Sequence, residues 1–136
     1  MLLEDLRRHD NSAERLYHKD IGFPTNASLP PGFSPVIRLR YGGHARQEAM
    51  IDRYGDLKLP DVIDIRKGDL FEVGVTGNTV TKMAVRMPYD DRIDLIIVFK
   101  PRDGFVKTVW ANEKNDKHRT LNRSRYIDPK RERQAA

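Results

Sequence analysis

In the second half of the chain, apolar and polar positions alternate in short runs separated by turn chemistry. Asp69 to Val75 alternates, Thr76-Gly77-Asn78 supplies turn residues, and Thr79 to Met87 alternates again, which is a hairpin pattern. After a second turn at Pro88-Tyr89-Asp90-Asp91, Ile93 to Phe99 is apolar on both sides and reads as a central strand. A third turn, Pro101-Arg102-Asp103-Gly104, leads to a strand from Phe105 to Ala111. The pattern predicts four consecutive strands in an antiparallel meander. Because side chains alternate across a strand, Phe71, Val73, Val75, Met83, Val85 and Met87 are expected on the core side. Glu72, Lys82, Ala84 and Arg86 then share the opposite face, a candidate substrate surface.

The first half predicts helices. Leu2 to Arg8 has helical character, and Asn11 with Glu14 three residues on resembles a capping box, which predicts a helix from Ser12 to about Lys19. Phe23 to Pro35 holds four of the eight prolines and reads as irregular extended chain. Val36 to Tyr41 alternates and reads as a strand or extended arm. After Gly42-Gly43, His44 to Tyr54 is rich in helix formers and sets Gln47, Met50, Ile51 and Tyr54 on one face before Gly55. This main helix is expected to pack on the Phe71, Val85 side. The expected fold is α+β, with N-terminal helices packed on a four-stranded antiparallel meander sheet. Its divisions are a helical extension and Pro-rich linker over 1–35, a single α+β domain over 36–127, and a basic tail over 128–136.

Composition narrows the chemistry. A length of 136 residues suits one hydrophobic core, and the absence of cysteine excludes disulfide scaffolds, thiolate metal sites and cysteine nucleophiles. Met1-Leu2-Leu3-Glu4-Asp5 turns acidic at once, unlike a secretory signal, and no apolar run approaches a membrane span, so a cytoplasmic protein without membrane contact is expected. The net charge of +5 is unevenly spread. From Lys100 to the end there are 11 Lys or Arg against 5 Asp or Glu, whereas residues 1–99 hold 14 against 15. A basic segment of this kind suits RNA or DNA as partner. Between Lys107 and Arg123 its charges are interleaved with Trp110, Asn112, Asn115 and His118, groups able to stack on bases or hydrogen-bond to phosphates. Trp110, the only tryptophan, is expected in the core, the alternative being a base-stacking platform.

Metal-independent RNA cleavage requires a base for the 2′-hydroxyl, an acid for the leaving oxygen and cations at the phosphate. His44, at the head of the main helix, and His118, between Lys117 and Arg119, are the acid–base candidates. Arg46, Arg53, Lys82, Arg86, Lys107, Asn112, Lys117 and Arg119 are the candidate nucleic-acid contacts. No metal site and no cofactor is expected. His44 with Glu48 lacks a third ligand, Asp90, Asp91 and Asp94 read as turn and surface residues, and Gly42-Gly43 lacks the spacing and lysine of a phosphate loop.

The segment from His44-Ala45-Arg46 to Arg53-Tyr54-Gly55 is similar to the histidine-and-arginine helix of several members of the barnase, EndoU, colicin, RelE (BECR) group of metal-independent ribonucleases, including the RegB type. Helices followed by a four-stranded meander also resemble that group's architecture. Arg40-Tyr41-Gly42-Gly43-His44-Ala45, Asp52-Arg53-Tyr54-Gly55, Val109-Trp110-Ala111-Asn112, Asp116-Lys117-His118-Arg119-Thr120-Leu121 and Ser124-Arg125-Tyr126 resemble a family of small proteins encoded by actinobacteriophages. These likenesses imply a phage-encoded endoribonuclease-like protein acting on host or phage RNA in the bacterial cytoplasm. The alternative is a non-catalytic phage protein that binds nucleic acid or a host protein through a basic surface. Unlike members of the ribonuclease group, the chain carries no histidine on a predicted strand.

Overall fold

The computed structural model describes residues 13–116 and 121–135, the side chains of 133–135 excepted. Eight strands run in chain order: β1 Arg15–His18, β2 Val36–Arg38, β3 Arg40–Tyr41, β4 Val62–Asp64, β5 Asp69–Thr76, β6 Thr79–Pro88, β7 Ile93–Phe99 and β8 Phe105–Glu113. Helix α1 covers Gly43–Met50 and α2 covers Pro129–Ala135. Six strands form one mixed sheet in the order β1-β5-β6-β7-β8-β3, and β2 pairs with β4 in a separate ribbon. No helix among the described residues is long and apolar enough to cross a membrane.

The fold is mostly β, which corrects the expected helices on a four-stranded meander. The segments β5 to β8 do pair consecutively and antiparallel, but a further strand lies on each side of them. One is β1, where a helix was expected from Ser12 to Lys19. The capping-box signal was local, whereas the open edge of β5 offers Arg15–His18 a full antiparallel ladder. Glu14, the supposed capping residue, instead accepts a hydrogen bond from the Thr81 hydroxyl at 2.7 Å. It crosses β5 at Gly74, where any Cβ would lie 2.6 Å from its carboxyl carbon. The expected helix at Leu2 to Arg8 lies outside the described residues.

On the other side, β3 runs parallel to β8 over Arg40–Tyr41, and α1 continues along the same edge. The helix is shorter than expected and presents a different face. Asp52 ends it, because its carboxylate accepts from Tyr54 N–H at 3.0 Å and its carbonyl accepts from Gly55 N–H at 2.9 Å, with Gly55 at φ +100°. Ala45 and Ala49, one turn apart, are the buried positions, while Met50 and Ile51 are 65% and 81% exposed. Close approach to a strand edge favours a small-residue face over the Met50, Ile51 face that the apolar pattern suggested.

The core lies on one side of the sheet, where Tyr17, Val73, Val75, Met83, Val85, Leu95, Ile97, Phe99, Val106 and Val109 pack together with Ala45, Ala49 and the β2–β4 ribbon residues Ile37 and Ile63. Phe71 is not among them. A register shift between Leu70 and Glu72 resets the alternation, so Phe71 joins Ala84, Ile96 and Val98 in a smaller cluster on the other side. That side, expected to be an open substrate surface, is largely closed, since Glu72, Ala84 and Arg86 are buried there.

Gly104 closes the turn before β8 at φ +74°, and its carbonyl accepts from Arg40 N–H at 2.9 Å, which starts β3. A Cβ on Gly104 would overlap the Arg38 carbonyl oxygen, while Gly77, at φ +61°, faces open space. Gly77→Ala is expected to cost about 1–2 kcal/mol, the strain of a left-handed residue alone. Gly104→Ala adds an overlap with backbone and should cost about 3 kcal/mol or more. Urea unfolding of the two variants measures the difference, and equal losses would show that the approach of Arg38 is unimportant.

Candidate functional site

The second side of the sheet carries two buried charge clusters. In the first, Glu72 receives the Lys82 ammonium at 2.9 Å and the Tyr126 hydroxyl at 2.5 Å, and the Tyr126 ring meets the buried His18 edge-on with centroids 5.1 Å apart. In the second, Asp94 receives Arg86 at 3.3 Å and Lys114 at 2.7 Å. Arg86 also donates to the carbonyls of Glu113 at 3.3 Å and Asp116 at 2.8 Å, so it ties the chain beyond β8 to the sheet. Charges this far from water persist because each has partners.

Burial pushes the Glu72 carboxyl up, but the hydrogen bonds from Tyr126 and Lys82 and the Lys82 charge outweigh it and hold the group below its ordinary range. Tyr126 is pushed up to about 12 by burial, by its hydrogen bond to Glu72 and by the Glu72 charge.

Exposed cations collect elsewhere, along the outer edge of β8. Helix α1 and the turn after it direct two acids inward at this edge. Glu48 accepts from the Thr108 hydroxyl at 2.7 Å and from Val109 N–H at 3.4 Å, and Asp52 accepts from Ala111 N–H at 3.0 Å. These carboxylates satisfy strand amides that no neighbouring strand reaches, and His44, Arg46 and Arg53 remain on the outward side, all exposed. Aromatic rings hold further cations in the same line. Arg40 and Lys100 lie 5.6 and 5.7 Å from the Phe105 ring, Arg46 lies 6.0 Å from Tyr41, and Arg53 and Arg92 lie 4.9 and 5.6 Å from Tyr54.

The residues selected from sequence divide between these places. Arg46, Arg53, Lys107 and Asn112 belong to the outer edge, and Arg53 donates to Asn112 Oδ1 at 3.4 Å. His44 is also there, 76% exposed and 3.5 Å from Glu48. Lys82 and Arg86 lie in the buried clusters, Arg86 with only 7% of its surface exposed. Lys117, His118 and Arg119 lie outside the described residues. Asp90 shapes its turn by accepting from Arg92 and Ile93 N–H, each at 2.8 Å, and Asp94 serves the buried cluster.

Trp110 corrects the core expectation. It lies on β8 opposite Ile96, in the row that includes Arg86, and is 40% exposed. Its neighbours Val109 and Ala111 take the core positions, and the two-residue strand period sends the indole to the other side. Tyr54, Arg92 and the Phe105 cations were missed as well. The adjacency of Arg53 and Tyr54 was a readable signal, whereas Arg92 reaches Tyr54 only through the fold.

No family model, curated protein or solved structure matches the chain.

The Glu72–Tyr126 contact has a pH signature. A carboxyl held below its unfolded value contributes stability above about pH 4.3, lost as the pH falls through the folded value. A phenol raised above its unfolded value contributes below about pH 10, lost as the pH rises through about 12. Urea unfolding should therefore weaken at both extremes. Tyr126→Phe should cost about 1–3 kcal/mol at pH 7 and flatten the acid limb, because Glu72 is then held down less. It should also shrink the alkaline limb, to which Tyr41 and Tyr17, both raised by burial, contribute too. A variant with the wild-type pH profile would mean that the contact is absent in solution.

Proposed function

We propose that the protein binds nucleic acid, RNA in the first place and DNA by the same phosphate contacts, along the outer edge of β8, without cleaving it. The observation that carries this reading is the inward use of Glu48 and Asp52 by strand amides. It leaves a line of cations from Lys100 past Arg46 and Lys107 to Arg53 and Arg92, backed by Phe105, Tyr41 and Tyr54, while Arg40, also over Phe105, is shared with Asp103 at 2.9 Å. Guanidinium and ammonium groups spaced along a strand suit a polyanion better than a small ligand. The engagement of Lys82 and Arg86 in buried ion pairs supports binding over catalysis, since cleavage was expected to use them at the phosphate. A cysteine-free chain suits a cytoplasmic setting, the host bacterium in the phage reading.

Fluorescence anisotropy of labelled RNA and DNA oligonucleotides across a salt series tests the proposal. Affinity should fall as salt rises. Arg46→Glu combined with Lys107→Glu should weaken binding about 10-fold or more and lessen the salt slope by about one for each phosphate no longer neutralised. Truncation after Asn112 is a poor test, because it removes Tyr126 from Glu72 and Ile127 N–H from the Leu16 carbonyl at 2.9 Å. Binding indifferent to salt and to the double substitution would overturn the reading. Cleavage of host RNA in EDTA to 2′,3′-cyclic phosphate ends, abolished by His44→Ala or His118→Ala, would put the endoribonuclease in its place.

A further inference from the structure

We infer that Trp110 is a stacking platform for an unpaired base, so that the nucleic acid taken by this protein is single-stranded. This rests on the nucleic-acid reading of the β8 edge and adds to it a choice between strand forms. An indole is among the largest apolar groups available for burial. Here the backbone holds it between two core residues, Val109 and Ala111, yet 40% of it stands in water. A ring on a β-strand has few ways to turn away, so it offers a face already oriented. In a duplex the faces of the bases are hidden in the stack, while an unpaired base can lie flat on an aromatic ring.

The surroundings suit a nucleotide. Asn112 follows Trp110 on the same side of β8, and its Oδ1 accepts from Arg53 Nη2 at 3.4 Å and from Glu113 N–H at 3.0 Å. The carboxamide is thus fixed through its oxygen, which leaves the amide end to donate to a base edge. Lys114 lies just beyond, half-buried against Asp94. Across the β8 edge, on the core side, Tyr54 is hydrogen-bonded to Glu113 at 3.2 Å and accompanied by Arg53 and Arg92, and Arg53 reaches over the edge to Asn112. Three residues of strand span about 10 Å, within reach of the phosphates that flank one unpaired base.

Trp110 is the only tryptophan, so intrinsic fluorescence reports on this position alone. Wild-type protein is titrated with a 12-nucleotide unstructured RNA, the same sequence as a duplex, and heparin. Single-stranded RNA should quench the emission and bind most tightly. By anisotropy of the labelled strand, Trp110→Ala should lose about 10-fold or more of single-strand affinity while heparin binding is unchanged. Trp110→Phe, which keeps a ring in the strand, should fall between the two and serves if the alanine variant fails to fold. Unchanged fluorescence on saturation with single strand, or equal affinity for duplex and single strand, would overturn the inference and leave salt-dependent binding standing. Failure of all three polyanions to bind would overturn the nucleic-acid reading and this inference together.

Discussion

The hydrogen bonds from the outer edge of β8 to the carboxylates of Glu48 and Asp52 decide how the rest of the molecule is arranged. A sheet that ended at β8 beyond the short β3 would expose amides able to pair with another chain. Two acidic side chains, one in the helix and one in the turn after it, close that edge, and to do so the helix must lie close against the strand. Closeness selects alanines at positions 45 and 49 and turns Met50 and Ile51 outward. It also separates charge by direction, acids toward the sheet and bases toward water. A basic surface arises here from the placement of acids as much as from the number of cations.

The two sides of the sheet follow different rules. One is filled by aliphatic and aromatic side chains in a continuous cluster, with α1 and the β2–β4 ribbon around it. The other combines a small apolar patch with Glu72, Arg86 and Asp94, buried at the centre of ion-paired groups. Replacing one member of such a pair strands its partner away from water, which is more costly than never having buried the pair. Buried charge therefore constrains which segment can cover this side, and it does so through Arg86 on the carbonyls of Glu113 and Asp116 and through Glu72 on Tyr126.

Much of β5 to β8 was legible in the sequence, because Thr76-Gly77-Asn78 and Pro101 to Gly104 are turn signals that act locally and Ile93 to Phe99 is too apolar to lie anywhere but the middle. What escaped depended on distant partners. Arg15–His18 carries no strong strand signal of its own and becomes a strand because β5 has an open edge. Phe71 was placed on the wrong side because one register shift reverses everything before it. Lys82 and Arg86 look, in sequence, like cations offered to solvent, and only the fold brings Glu72 and Asp94 against them. Trp110 was assigned to the core by residue type, although the alternation with Val109 and Ala111 already pointed it the other way.

Ile127 joins Leu16, Tyr126 joins Glu72, and Tyr17 donates to Glu132 at 2.8 Å, so the two ends of the described chain meet on the outer strand. The Ile127–Leu16 and Glu132–Tyr17 contacts span more than one hundred positions of sequence and the β1–β5 ladder about half that, whereas the β5–β6, β6–β7 and β7–β8 pairings are local. On a ribosome the local pairings become available first, and β1 must wait for β5. The residues that seal the β1 edge, Ile127 and Glu132, leave the exit tunnel only after all of these strands. Until then the growing sheet keeps one edge unprotected, and the speed at which the stretch between β8 and Glu132 is translated sets how long that vulnerable interval lasts.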